Sequence, residues 1–302
     1  YGRVGRSTRA PGRELAEERA RGQRNIALGT TSDSYAQRFD EWLDVVASDF
    51  IAGAGEGPDT GGQVLHVVFA IPAERLPADE AGGGFRYPLR FRLIVADSAD
   101  RAIATLDTLR VFASREPLRA PAYLTGRLAL PLPPGRYRYR LLVASPNGHA
   151  GDLVIEDSLD VTALDGRRFA VSDVVVGREG SGLAWLPPGP PPADTVSLNP
   201  LQRFPEGGAV ELYYEVYGLR AGASYHTVVR LEREGRRGLF GGRRTPVLLE
   251  FDAPATGPLT RVYRGIALRD VSEGSYRLTV VISDPASGRR VTRTERFQVV
   301  ER

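Results

Sequence analysis

Three histidines, His66, His149 and His226, are the only imidazoles in a chain of 302 residues that contains no cysteine. An imidazole acts as a general base beside a hydroxyl or thiol, or as a metal ligand with a second ligand a few residues away. These three lie far apart, and none has another His at three to five residues, so no zinc site is expected. With no Cys there is neither thiol nucleophile nor thiolate ligand. All 40 basic side chains are Arg, so Schiff-base chemistry and the phosphate-binding lysine are also missing. Gly177 to Gly182 contains Gly, Ser and Glu, but not in the Gly-x-Ser-x-Gly order of a nucleophile elbow. Gly238 to Thr245 faintly resembles a phosphate loop, yet Arg243 and Arg244 stand where a Gly-Lys pair belongs. The expectation is a chain with no catalytic residue, no metal and no cofactor.

Chemistry of recognition is better represented. Residues 1–30 hold seven Arg against three Glu, which leaves 33 Arg against 34 acidic residues for the rest of the chain. The basic character therefore belongs to an N-terminal arm in which Arg3, Arg6, Arg9 and Arg13 are candidate contacts for carboxylates or lipid phosphates. So rich in Arg, Gly and Ala, the arm buries too little apolar surface to order itself, and the body of the same protein or a partner surface is what would order it. A second cationic cluster, Arg236, Arg237, Arg243 and Arg244 around Phe240, reads as a hairpin tip able to grip an acidic partner. The folded body is slightly acidic and shows no recognition motif, so nucleic acid is not an expected partner.

The elements that must position these groups follow from periodicity. Tyr35, Phe39, Trp42, Leu43, Val46 and Phe50 recur at threes and fours, which predicts an amphipathic helix over 31–52, capped by Ser32 or Asp33 and ended by Gly53. Its apolar face makes Trp42 a further candidate contact, and Asp40, Glu41 and Asp44 lie off that stripe. Gly53 to Gly62 reads as a linker. Leu65, Val67, Phe69 and Ile71 alternate with other residues, as do Leu89, Phe91, Leu93 and Val95, which predicts half-buried antiparallel strands. Leu212, Tyr214 and Val216, then Tyr225, Thr227, Val229 and Leu231, repeat the habit beyond a Pro-rich stretch at 185–205. The expected organisation is an arm (1–30), a helix (31–52), a linker (53–62), a β-sandwich (63–184), a Pro-rich linker (185–205) and a second β-sandwich (206–302).

An internal repeat supports two related units. Gly135, Tyr137, Arg138, Leu141, Val143 and Pro146 align without gaps on Gly274, Tyr276, Arg277, Val280, Ile282 and Pro285. A Tyr entering such a strand after a Gly turn suits the tyrosine corner of immunoglobulin-like sandwiches, where its hydroxyl closes a bond to the backbone. The fold class expected is all-β, two immunoglobulin- or fibronectin-III-like sandwiches in tandem behind the arm and helix.

Val196 to Leu219, with Leu198-Asn199-Pro200, Phe204 and Leu212-Tyr213-Tyr214-Glu215-Val216-Tyr217-Gly218-Leu219, resembles the C-terminal portion of bacterial GWxTD-domain proteins. So do Phe169-Ala170-Val171-Ser172-Asp173 and the strand pair from Gly274 to Val299. The Gly-Trp-x-Thr-Asp motif itself is absent, since Trp42 precedes Leu43 and Trp185 precedes Leu186. The resemblance implies an extracytoplasmic protein with β-sandwiches and brings no catalytic residue. By analogy it points to the extra membrane-extrinsic subunits of photosynthetic reaction-centre and light-harvesting complexes.

The chain starts at Tyr1 rather than Met, and the expectation is a processed form whose leader, of signal or lipoprotein type, directs it to the periplasm. No run reaches the roughly 18 to 20 apolar residues that a spanning helix requires. The function expected is that of a non-catalytic scaffold subunit, peripheral to the membrane, whose arm binds other protein subunits and contacts lipid headgroups. The alternative is an extracytoplasmic ligand-binding module, with Trp185, Tyr213 and Tyr217 as exposed stacking platforms for glycans.

Overall fold

The computed structural model describes residues 39–53, 63–188, 194–234 and 247–301. Their N-terminal half contains β1 (Glu41–Trp42), β2 (Val46–Gly53), β3 (Gln63–Pro72), β4 (Asp79–Ala81), β5 (Gly84–Ala96), β6 (Ala102–Ser114), β7 (Tyr123–Leu132), β8 (Gly135–Ala144) and β9 (Ala150–Val161). The C-terminal half contains β10 (Ala170–Val171), β11 (Val175–Gly177), β12 (Ala184–Trp185), β13 (Val196–Ser197), β14 (Arg203–Pro205), β15 (Ala209–Tyr217), β16 (Ser224–Arg233), β17 (Val247–Pro254), β18 (Leu259–Ala267), β19 (Gly274–Asp284) and β20 (Arg289–Val300). Apart from one 3-10 turn at Ala73–Arg75, every regular element among the described residues is a strand.

The predicted helix is not formed over its described part. Residues 41–53 make β1, parallel to β9, and β2, antiparallel to β3. The apolar spacing misleads because β2 is covered on two sides. From Asp49 to Gly53 every residue is buried, so neither a period of two nor one of 3.6 is written there. Residues 31–38 and the arm lie outside the described residues. The expectation of half-buried strands holds for β5, whose exposure alternates, and fails for β3, where Leu65 through Ile71 are all buried.

Each half pairs a small sheet with a larger one. In the N-terminal half β2-β3-β7 faces β1-β9-β8-β5, with β6 added on the far side of β5. Leu65, Val67 and Phe69 from the one, and Leu89, Phe91, Leu93, Leu141 and Val143 from the other, share a single core. In the C-terminal half β15, flanked by β10 and β11 on one side and β18 on the other, faces β14-β20-β19-β16-β17. Val210, Leu212, Tyr214 and Val216 meet Tyr225, Val229, Leu278, Val280 and Phe297 in the second core. The two halves thus follow one strand order. The internal repeat falls on β8 and β19, and in both the Tyr hydroxyl donates to the carbonyl four residues earlier: Tyr137 to Pro133 at 3.1 Å and Tyr276 to Ser272 at 2.8 Å.

The strand β15 takes its first partners from Ala170–Val171 and Val175–Gly177, which precede the Pro-rich stretch. That stretch therefore lies inside the second unit as an excursion, and the chain passes from one unit to the next before Ala170, not at 185–205 as expected.

Candidate functional site

Where the two halves meet, β15 turns its second face outward. Side chains alternate along a strand, so with Leu212, Tyr214 and Val216 in the core of their own half, Tyr213, Glu215 and Tyr217 face the other. The Glu215 carboxylate is 1% exposed. It accepts hydrogen bonds from the hydroxyls of Tyr213 and Tyr217, each at 2.6 Å, and from the main-chain N–H of Gly53 at 2.8 Å. The Arg261 guanidinium stands 3.9 Å away. Burial, and after it the neighbouring carboxylate, pushes both Tyr hydroxyls well above the usual phenol range. Three donors and a nearby cation are what a carboxylate requires to persist without water. Gly53 is required by contact: a Cβ there would collide with the Tyr217 hydroxyl.

Two further joints flank this one. Asp173 bonds to the edge of β2 twice, its N–H donating to Ile51 O at 3.0 Å and its carboxylate accepting from Ile51 N at 2.7 Å. Arg293 of β20 holds the same turn through Ser172 O at 2.9 Å, with Asp173 at 3.5 Å. On the other side the excursion drops Trp185, 4% exposed, onto the outer face of the small N-terminal sheet. Its ring lies 4.9 Å from Phe50, 5.0 Å from His66 and 5.3 Å from Tyr213, and Val196 and Leu198 complete the cluster. This cover is why β3 is buried on both faces. His66 stacks on Phe50 at 4.6 Å and its Nδ1 accepts from Arg127 at 2.6 Å, while Nε2 is buried without a partner. Burial, then the Arg127 charge, lowers the His66 pKa from 6.5 to about 3, so the ring is neutral.

The other imidazoles are surface groups. His149 pairs with Asp40 at 2.6 Å, and His226 sits between Asp252 at 2.9 Å and Glu250 at 3.2 Å across β16 and β17. No set of three or more metal-ligating side chains occurs among the described residues. No helix there is long and apolar enough to cross a membrane.

Of the contact residues expected from the sequence, Arg3, Arg6, Arg9 and Arg13, and likewise Arg236, Arg237, Phe240, Arg243 and Arg244, lie outside the described residues. Trp42 is half-buried in β1 and packs edge-on against Phe39 at 5.9 Å. It presents no helical face. Trp185, Tyr213 and Tyr217, expected as exposed glycan platforms, are all buried between the halves and cannot stack on a sugar. Sequence reasoning passed over Glu215, whose signal is a Tyr two residues to either side on a strand whose alternate positions are already apolar. It also passed over Arg110 and Arg127, for which a single sequence carries no signal.

No family model matches the chain, and no curated protein matches it. Among solved structures, the crystal structure of red sea bream transglutaminase aligns at 10% identity over 85% of this chain and 32% of that one, with a TM-score of 0.25. The chain thus spans about a third of that protein's length. A TM-score so low does not relate the two folds.

Proposed function

We propose that the protein is a non-catalytic structural subunit, made of two immunoglobulin- or fibronectin-III-like sandwiches, that lies on the extracytoplasmic side of a bacterial membrane assembly. The immunoglobulin-like reading is supported by the strand order that the halves share, a smaller sheet against a larger one, and by the tyrosine bond that opens β8 and β19. The junction carries the structural reading. A buried carboxylate with three donors, a doubly bonded Asp173 and an intercalated Trp185 hold the halves at one angle. A spacer of fixed geometry positions other subunits, whereas a hinged ligand-binding pair needs its halves to move. The Arg-rich residues 1–30 are the proposed tether to carboxylates of partner subunits and to lipid phosphates. The GWxTD-like segments supply the extracytoplasmic location, and the reaction-centre analogy names one assembly of the kind.

The test is mild-detergent extraction from the native source, purification through this protein, and identification of what co-migrates. Stoichiometric membrane subunits are expected, and deleting residues 1–30 should loosen them while both sandwiches stay folded. Recovery of a free monomer, or an equally stable complex after the deletion, would overturn the proposal.

A further inference from the structure

The edges of the two larger sheets differ in how they are protected. A sheet edge is normally guarded by charge, proline or shortness, because its unpaired backbone groups invite another strand. On the C-terminal half β17 is eight residues long and carries Glu250, Asp252 and Pro254. On the N-terminal half β6 runs for 13 residues without a proline, in unbroken register with β5 from Ala104 to Ser114 and bulged at Ile103, and among the described residues it pairs only with β5. Its outer face shows Ile103, Leu109 and Val111 at 43%, 59% and 57% exposure. Asp107, the single acidic residue of the strand, is spent on Arg90, which bonds both its oxygens at 3.0 and 3.1 Å.

Beside this edge are two cations that face no carboxylate among the described residues. Arg110 of β6 reaches across to β7 and donates to the Arg127 carbonyl at 2.8 Å, with its Cζ 5.9 Å from the centre of the Phe91 ring. Arg127 donates to His66. Neither guanidinium has a carboxylate partner among the described residues, and the two are close enough for Arg110 to lower the Arg127 pKa further below its usual value after burial has done so. By contrast, Arg277 and Arg296 pair with Glu234, and Arg293 stands beside Asp173.

We propose that the free edge of β6 is a docking site for an extended, acidic segment of a partner protein, which adds as a strand and sets a carboxylate against Arg110 and Arg127. Main-chain bonds to β6 supply affinity, and the alternate side chains lie on Leu109 and Val111 or turn toward the guanidinium pair. A second copy of the chain fits less well, since β6 has no free carboxylate to offer the same pair. The inference rests on the structural-subunit reading for the existence of a partner, but its test uses the purified protein alone.

The probe is a ten-residue peptide alternating valine or threonine with glutamate, compared with the same peptide carrying lysine in place of glutamate. Calorimetry should show binding of the acidic peptide alone, with slowed amide exchange confined to residues 102–114. R110Q, by the loss of one charged contact, and L109D, by the loss of an apolar contact and repulsion of the peptide's carboxylates, should each weaken it about tenfold or more with unchanged circular dichroism. Equal binding of both peptides, protection elsewhere, or a concentration-dependent dimer of the free protein abolished by L109D would overturn the proposal. Failure of the peptide with successful co-purification of membrane subunits would remove this docking site and leave the subunit reading standing.

Discussion

The two halves share a strand order and differ in what they do with their outer faces. In the N-terminal half the chain first runs beside the last strand as β1 and only then crosses to the small sheet as β2, using three intervening residues, Leu43 to Val45. In the C-terminal half the order is reversed: β10 and β11 join the small sheet first, and the chain then makes a long excursion before β14 lies beside β20. That reversal creates the excursion, and the excursion carries Trp185. The outer face of β3 receives it, with Val68, Phe50 and His66, while the outer face of β15 supplies polar groups, Tyr213, Glu215 and Tyr217. One topology thus yields a receiving half and a donating half, and the residues that decide which is which lie outside both cores.

Removing the donated carboxylate should do the most damage. Glu215→Ala leaves two buried hydroxyls and one main-chain N–H without their acceptor, and Arg261 without its nearby carboxylate, and should cost about 3 to 5 kcal/mol in denaturant unfolding. It should also split one transition into two; a single transition with unchanged midpoint would show that this carboxylate does not couple the halves. Trp185→Ala strips the cover from β3 and should cost about 3 kcal/mol, with faster amide exchange at Val64, His66 and Val68.

Acid tests the receiving half alone. The folded protein holds His66 at about 3, below its unfolded value of 6.5, so the unfolded chain takes up a proton first. Stability from a neutral His66 is complete above pH 6.5 and drains away as pH falls toward 3, by about 1.4 kcal/mol per unit. Between pH 7 and pH 5 the native chain should lose about 2 kcal/mol more than His66→Phe does, and equal losses would mean that His66 is hydrated. The smallest effect sharpens the likeness of the halves. Tyr276→Phe should cost about 1 kcal/mol and Tyr137→Phe about half of that, because the second bond is longer and exposed; the reverse order would count against equivalent roles.

What could be read in the sequence was what a single strand with one wet face writes into it. The alternation of Leu89 to Val95 and the paired Tyr137 and Tyr276 survived because each rests on neighbours within its own half. What could not be read depends on the other half. Phe50 to Gly53 show no strand alternation because β15 and Trp185 cover what would otherwise be their solvent face, and the apolar spacing before them then reads as a helix. The prolines after Trp185 suggested a boundary, since local composition marks an irregular path without saying what lies on either side of it. The three residues chosen as sugar platforms are large and aromatic for the opposite reason, to be hidden.

Both halves place a short parallel strand against their last one: Glu41–Trp42 on Ala150–Gly151, and Arg203–Pro205 on Gln298–Val300. Force applied where the chain enters and leaves such a unit pulls parallel neighbours in opposite directions along their length. Their hydrogen bonds then bear load together, in shear, instead of peeling one after another as in an antiparallel hairpin. The N-terminal half, entered through β1 and left through β9, is accordingly loaded in shear at its short parallel ladder, whereas the C-terminal half is entered through β10, ahead of β14, and is first loaded where β10 and β11 meet β15.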